Sequence, residues 1–353
     1  MITRRGFLQA SVIAATTARF SATWARELPA SARVMTVNGW MDASEMGLTL
    51  EHEHVYADLR PYTVQKEKPL KIDTEEVAAV VLPYLAKIKA LGCKTLVECT
   101  ATDLGRTPAL VKHLSLVSGI NMLVPTGNYL AADGIFIPDY VRELSAAALA
   151  KRWIREWEHG IGDSGVRPGF IKLGVNGGAL TELESKVIEA AAITHRASGL
   201  TIGIHIGPWR KVEPGYNAAA AFDILERFEK FKVAPSAWIW FHAQNEPDFA
   251  QTLRAAKTGV FVSFDGFRPG MEAEYASVVA RFKAVDQLHR LLISQDAGWY
   301  TAGEPHGGEF APFDPLLTTL RPALLDARAS QEDLEALLVG NPANAYAVRV
   351  RAL

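Results

Sequence analysis

The sequence predicts an α/β protein of the (β/α)8 class, the TIM-barrel fold. Its 353 residues, 49% hydrophobic and 22% charged, suit one large soluble domain. Short apolar runs alternate with helix-like stretches along the chain. The runs cover residues 48–50, 95–97, 122–125, 170–173, 201–204, 237–241, 260–264 and 291–294. Eight such alternations favour a closed parallel barrel over an open doubly wound sheet, and no G-x-G-x-x-G follows the first run.

The segments between the runs carry helical periodicity, for example at residues 74–91, 108–117, 181–197 and 272–288. No low-complexity tract, charge block or Pro/Gly/Ser-rich linker interrupts residues 35–353. We therefore expect this range to form a single barrel domain.

Residues 1–25 have the pattern of a twin-arginine export signal. The motif TRRGFLQ at residues 3–9 precedes a mildly apolar run at 10–18 and a small-residue site ending at Ala25. The run is too short and too polar to span a bilayer. The pattern predicts a bacterial periplasmic protein, and the alternative is an ordinary N-terminus with two chance arginines.

Charge and cysteine content exclude several classes of protein. A formal net charge of -2 gives no electrostatic reason to expect a nucleic-acid or anionic-membrane partner. The two cysteines, Cys93 and Cys99, bracket a predicted strand, so about 20 Å of extended chain separates them. They form neither a disulfide nor a CxxC motif.

Ionisable residues cluster at the ends of the predicted strands, where barrel enzymes carry their catalytic groups. They are His52 and His54 after the first run, Lys172 in the fourth, His205 and His242 ending the fifth and sixth, and Asp296 after the eighth. The histidines in helical stretches are interpreted as surface or core residues, namely His113, His159, His195 and His289. His306, in a loop after the eighth strand, is a weaker candidate for substrate contact.

This cluster predicts a metal site. His52 and His54 are one residue apart on extended chain, so both imidazoles face the same side, here the barrel mouth. Imidazole with carboxylate suits Zn²⁺, Mn²⁺, Fe²⁺ or Co²⁺ better than Ca²⁺, and we expect zinc first. H-x-H alone is a weak signal, but the later strand-end ligands strengthen it.

Lys172 lies in the apolar strand sequence GFIKLG, where a free ammonium is expensive to bury. A neutral amine there can add carbon dioxide and become a carbamate with two metal-binding oxygens. The alternative is a lysine whose stem packs while its amine reaches the mouth. The residues leave both interpretations open.

The chain resembles the phosphotriesterase family of the amidohydrolase superfamily from about Met35 to its end. The resemblance rests on GLTLEHEH at 47–54, FIK at 170–172, His205, His242 and SQD at 294–296, with LGR at 104–106, TGNY at 126–129 and GNPA at 340–343. It implies a binuclear centre in which His52, His54 and Asp296 hold the more buried metal. His205 and His242 would hold the exposed metal, with carbamylated Lys172 and a hydroxide as bridges. Asp296 would also accept or shuttle the proton, and Tyr129 would orient substrate, unless it only packs at the rim.

The chain departs from the family pattern outside the metal ligands. Phosphotriesterases proper relay protons through a histidine where this chain has Gly266 and an aspartate where it has Asn245. The arginine that lactonases carry at the Gly266 position is also missing, and Thr107 follows Arg106 where relatives often have aspartate. The proton relay and the substrate are therefore left open by the resemblance.

The predicted rim is partly aromatic and partly cationic, which would suit a polar, even anionic, ester or lactone. Taken singly, each of its residues is as well explained by solvation or packing. They are Trp209, Arg210, Lys211, Phe267, Arg268, Trp299, Tyr300 and His306.

The leading hypothesis is hydrolysis of a carboxylic ester or lactone by a metal-bridging hydroxide. The first alternative is phosphotriester or phosphoester hydrolysis at the same centre, and amide hydrolysis stays open. A different class, a non-catalytic periplasmic metal- or ligand-binding protein, is disfavoured by the complete ligand set and by Asp296. The expected partner is a small-molecule substrate, with homodimers common among relatives and no membrane span expected.

Overall fold

The computed structural model describes residues 29, 31–208 and 211–353. The predicted export signal at 1–25 and two rim residues, Trp209 and Arg210, lie outside the described residues. The periplasmic location remains a prediction.

The chain begins with an antiparallel hairpin and continues as a parallel barrel. The hairpin consists of β1 (Arg33–Thr36) and β2 (Gly39–Asp42). The barrel strands are β3 (Thr49–Ala57), β4 (Thr95–Glu98), β5 (Asn121–Leu123), β6 (Pro125–Thr126), β7 (Phe170–Val175), β8 (Ile202–Ile206), β9 (Trp238–Phe241), β10 (Phe261–Phe264) and β11 (Leu291–Ile293). A further strand, β12 (Gly298–Thr301), pairs with β3. Because only Val124 separates β5 from β6, the two form one barrel strand, and all eight predicted strands are present.

Parallel pairing runs in chain order through two sheets, β12-β3-β4-β5 and β6-β7-β8-β9-β10-β11. On the side opposite the β5–β6 junction, the segment after β11 hydrogen-bonds to β3. Asp296 N donates to His52 O (3.1 Å), and His54 N donates to Ala297 O (2.8 Å). The predicted (β/α)8 barrel is confirmed.

The first barrel strand is longer than the apolar run predicts. β12 pairs in parallel with the second half of β3, matching Gly298 to His54 and Thr301 to Ala57. This pairing extends β3 to Ala57, so His52 and His54 lie inside the strand rather than after it.

Helices follow the barrel strands and cover their outer face. They are α1 (Tyr62–Glu67), α2 (Thr74–Ala90), α3 (Pro108–Ser118), α4 (Asp139–Glu143), α5 (Ala146–His159), α6 (Glu182–Ser198), α7 (Tyr216–Lys230), α8 (Phe249–Thr258), α9 (Glu272–Ala284), α10 (Arg321–Asp326), α11 (Gln331–Glu335) and α12 (Asn341–Tyr346). α6 starts at a capping box in which Thr181 and Glu184 satisfy each other's backbone N–H groups. α9 ends four residues earlier than the periodicity predicts, near Asp286, which has a left-handed φ of 58°.

The barrel interior is filled by side chains rather than open. Val97, Leu123, Phe170, Ile239 and Phe241 belong to a buried cluster separate from the strand–helix core. Tyr346 of α12 joins the same cluster. No helix among the described residues is long and apolar enough to cross a membrane.

Candidate metal centre

A cavity of about 230 Å³ opens at the C-terminal ends of the strands. All seven side chains that the resemblance assigns to metal binding or catalysis meet there. His54, Tyr129, Lys172, His205, His242 and Asp296 line the cavity, and His52 is fully buried against them. Cys99 also lines it as a free, buried thiol.

The first group of candidate ligands comes from β3 and the turn after β11. Ligand atoms of His52, His54 and Asp296 all lie within 4.8 Å of one another. Asp296 Oδ1 is 3.0 Å from His54 Nε2 and 3.8 Å from His52 Nε2. This is the set that the resemblance assigns to the buried metal.

The second group lies directly beside the first. The rings of His205 and His242 are 4.5 Å apart between centroids, and His242 is 4.9 Å from His52. Lys172, only 2% exposed, places Nζ 3.2 Å from His52 Nε2 and 4.1 Å from the centroid of the Phe241 ring. The amine therefore lies at the floor of the cavity rather than at its rim.

His54 and His242 each leave one ring nitrogen free to bind a metal, because the other ring nitrogen of each makes a hydrogen bond. His54 Nδ1 donates to Thr100 Oγ1 (2.8 Å), whose own proton goes to Tyr56 O (3.1 Å). His242 Nδ1 donates to Asp265 Oδ1 (2.7 Å). Such contacts fix the tautomer and leave Nε2 of His54 and of His242 as lone-pair donors for a metal.

His205 uses the opposite nitrogen. Its Nε2 donates to the carbonyl of Gly207 (2.8 Å), which leaves Nδ1 free, and Tyr129 Oη lies 3.2 Å from the same Nε2. Tyr129 therefore contacts a candidate ligand as well as the cavity. Its backbone N–H donates to the buried carboxylate of Asp103 (2.8 Å).

The titration of the site favours the metal-binding protonation states. Burial lowers the pKa of His52 to about 3 and that of His205 well below its ordinary value, and nearby positive charge adds to both effects. Burial also lowers the pKa of His54. For Asp296, burial acts to raise the pKa, but the adjacent histidines, His54 foremost, outweigh it and hold the pKa below its ordinary value. Neutral imidazoles beside an ionised carboxylate are the state in which these side chains bind metals.

One buried atom shows that the cluster fits a cation. Asp296 Oδ1 is buried without a hydrogen-bond donor and faces the ring nitrogens of His52 and His54. A carboxylate oxygen beside imidazole lone pairs is stable only with a positive charge among them. The side chains present therefore fit a divalent metal.

Two acidic residues of the site were missed from the sequence. Asp265, 0% exposed, contacts both His52 and His242. Glu53 hydrogen-bonds to the residues on either side of Asp296 in the turn after β11. Glu53 Oε1 accepts from Ser294 Oγ (2.7 Å) and Oε2 from Ala297 N (2.7 Å). The available signals were an aspartate directly after the seventh strand and a glutamate between the two histidines of H-x-H.

Of the six predicted rim residues that the structure describes, Lys211, Phe267, Arg268, Tyr300 and His306 do not line this cavity. His306 is exposed, and its Nδ1 lies 3.4 Å from Glu76 Oε1. It lines a separate surface cavity together with Tyr300. The guanidinium of Arg268 donates to the backbone carbonyls of Gln295 and Asp296, and Phe267 is in the core.

Trp299 does reach the cavity. Its ring stacks on His54 at 3.7 Å between centroids, and its Nε1 donates to Asp296 O (3.0 Å). Beyond the candidate ligands and Cys99, the described wall is formed by Leu104, Tyr129, Gln244, Asn245 and Trp299. That wall is apolar, aromatic and amide in character, not cationic.

The fold and the cluster define a class, that of barrel proteins with a histidine–carboxylate metal centre at the mouth. The model of the phosphotriesterase family matches residues 32–346, and this chain belongs to that family. Members of the family are hydrolases that depend on a binuclear metal centre.

Individual relatives agree with the family assignment. The phosphotriesterase homology protein of Mycobacterium tuberculosis is 24% identical over 324 residues, 87% of this chain and 95% of its own length. Human N-acetyltaurine hydrolase is 25% identical over 354 residues, covering 88% and 97%. The structure of the lactonase Lmo2620 from Listeria monocytogenes superposes with a TM-score of 0.75 at 21% identity, covering 90% of this chain and all of that one. The last comparison shows a shared fold.

Proposed function

We propose that this protein hydrolyses carboxylic esters or lactones at a binuclear metal centre. The observation that carries the proposal is the convergence of free histidine nitrogens, Lys172 and an unpartnered carboxylate oxygen on one cavity. His52, His54 and Asp296 would hold the inner metal, and His205 and His242 the outer one. Zinc is the first candidate, and manganese, cobalt and iron suit the same ligands.

Lys172 is proposed to bridge the two metals as a carbamate formed with carbon dioxide. Its Nζ is buried and lies 3.2 Å from a ligand nitrogen of the inner group. Its strand, β7, pairs with β8, which carries His205 of the outer group. A carbamate at this position would offer two anionic oxygens to cations held by the two groups, whereas a protonated amine would repel those cations.

When bound, the two metals would supply a water of lowered pKa as nucleophile and would polarise the scissile carbonyl. The chain's own residues do the rest. Asp296 is the carboxylate placed to take the proton released by the nucleophile, because it lines the cavity and its lowered pKa keeps it ionised. Tyr129 and Trp299 both line the described wall, and we assign them to orienting the substrate.

The wall also bears on the substrate. Its described part carries no arginine, and Lys172 lies at the metal floor. We therefore favour an uncharged ester or lactone with an apolar substituent over the anionic substrate that the sequence suggested. The Listeria structural neighbour is named a lactonase, which supports a lactone as substrate class and says nothing of its charge.

Phosphotriester or phosphoester hydrolysis is the second candidate, because the same centre can polarise P=O, and the Mycobacterium relative is named for its homology to phosphotriesterase. The name of the human relative keeps amide hydrolysis in the panel of substrates to be tested. A periplasmic location after export, and assembly as a homodimer, complete the proposal.

The test is a Lys172→Ala variant assayed on lactones, aryl esters, phosphotriesters and N-acetyl amides. We expect loss of most activity and partial recovery when a short carboxylic acid is added, because the acid can replace the bridging oxygens. The same acid added to the wild-type protein is the control and should not stimulate it. Full activity and normal metal content in Lys172→Ala would overturn the carbamate.

A further inference from the structure

One buried carboxylate serves a histidine from each of the two ligand groups. Asp265 Oδ1 accepts from Nδ1 of His242 (2.7 Å), and Oδ2 accepts from the backbone N–H of His242 (3.1 Å). Oδ2 also lies 2.8 Å from Nδ1 of His52. The His52 contact is this close without meeting hydrogen-bond geometry, so it is an electrostatic contact between the ring nitrogen and the carboxylate. Asp265 therefore links the orientation of the two groups.

Gln244 holds this carboxylate in place from the cavity side. Its Nε2 donates to Asp265 Oδ1 (3.0 Å), and its Oε1 accepts from Asp265 N (3.2 Å). The amide thus uses one donor and one acceptor on a single residue. Because the amide is uncharged, it steadies the carboxylate without competing with the histidines for its negative charge, as a lysine or arginine would.

Gly266 provides the space that this arrangement needs. A Cβ built on Gly266 would lie 2.5 Å from Gln244 Nε2 and 3.2 Å from its Cδ. The φ of Gly266 lies outside the left-handed region, so the backbone does not require glycine there. What the position requires is the absence of a side chain.

We propose that Gln244 is a positioning residue of the metal centre, held against Asp265 by the space at Gly266, and that this pair orients one histidine of each metal subsite. The proposal rests on the metal centre of the proposed function but not on its substrate. It predicts that loosening Gln244 weakens both metals together, since His52 and His242 belong to different groups.

The experiment measures zinc affinity by competition with a chromogenic chelator, on the full-length protein and without any substrate. We expect Gln244→Ala to weaken both zinc equivalents by up to about 10-fold, the lower end of the effect of removing a direct hydrogen-bond partner of a ligand, because Gln244 acts through Asp265. Gly266→Ala should give a similar loss with little change in Tm, because the added methyl group meets only the flexible end of Gln244. In the double variant, Gly266→Ala should add nothing to Gln244→Ala.

Two controls separate this role from general loosening of the mouth. Thr100→Val removes the hydrogen-bond acceptor of His54 and of no other candidate ligand, so it should weaken one zinc equivalent. Asn245→Ala alters the next cavity residue, for which the structure records no side-chain bond to Asp265, and should leave both zinc affinities unchanged.

A folded Gln244→Ala variant with wild-type affinity for two zinc ions would overturn the positioning role. Additive losses in the double variant would overturn it too. If the wild-type protein binds two zinc ions but hydrolyses none of the proposed substrates, the proposed function fails and the positioning role stands. If it binds none, both fail.

Discussion

At the scale of single residues, the mouth of the barrel is built from unfavourable backbone conformations. His242, Asp296 and Trp299 have φ of 59°, 50° and 72°, in the left-handed region that non-glycine residues rarely adopt. Each such residue costs on the order of 1 kcal/mol or more. The side chains are needed at these positions, so glycine cannot relieve the strain.

Neighbouring hydrogen bonds hold these conformations. Asp265 accepts from the backbone of His242, and Glu53 accepts from the N–H that follows Asp296. Trp299 bonds back to the carbonyl of Asp296. The buried carboxylates near the candidate metal ligands therefore shape the backbone as well as the rings.

The first prediction concerns Asp296. Asp296→Asn keeps the size of the side chain but removes its charge and its capacity to take a proton. We expect turnover to fall by roughly 10²- to 10⁴-fold, while circular dichroism shows an unchanged fold. Unchanged turnover on the best substrate would remove Asp296 from the mechanism.

At the scale of elements, the end of α6 is tied to the C-terminal tail through a buried histidine. His195 Nδ1 donates to Leu200 O (2.8 Å), and its Nε2 accepts from Arg351 N (3.0 Å). Accepting at Nε2 requires the neutral ring. Burial accordingly lowers the pKa of His195 to about 4. This confirms its interpretation as a satisfied core histidine.

The pH dependence of stability follows from that pKa. Between about pH 6.5 and 4 the unfolded chain binds a proton at His195 that the folded protein does not, so stability falls as the pH falls through this window. We expect a loss approaching 3 kcal/mol in the free energy of unfolding from this residue. Denaturant unfolding at several pH values should show a smaller loss on acidification in His195→Gln than in wild type. Parallel curves would contradict the assignment, because the metal-site histidines contribute equally to both proteins.

At the scale of the whole molecule, the metal centre joins distant parts of the barrel. Its candidate ligands come from β3 in one sheet, from β7 and β8 in the other, from the residue directly after β9 and from the turn that follows β11. A cation bound here would cross-link both sheets at the mouth. Metal binding should therefore stabilise the whole fold.

Chelation tests this prediction. We expect about two transition-metal equivalents per chain by elemental mass spectrometry, lost together with activity on dialysis against a chelator. A metal at 1,000 times its Kd adds about 4 kcal/mol to stability, so the Tm of the metal-free protein should fall by several degrees. One equivalent would contradict the bridge at Lys172. None, even after folding with metal and bicarbonate, would favour the non-catalytic binding protein.

The sequence by itself determined the barrel and identified the side chains at its mouth. Strand and helix periodicity are local properties, and a histidine or aspartate at a strand end must lie at the mouth once the strands are parallel. Eight predicted runs became eight barrel strands for that reason. The same reasoning identified His52, His54, Lys172, His205, His242 and Asp296, which the structure brings together.

Only the tertiary structure decided which neighbours orient those side chains. Asp265 contacts side chains 213 and 23 positions away in the chain, and Glu53 hydrogen-bonds to a turn more than 240 positions away. Arg268 points to backbone carbonyls and His306 to a separate cavity because loop side chains follow the packing of distant segments. Periodicity gives the face on which a residue lies. Its partner on that face is set by the closure of the barrel, which no local pattern encodes.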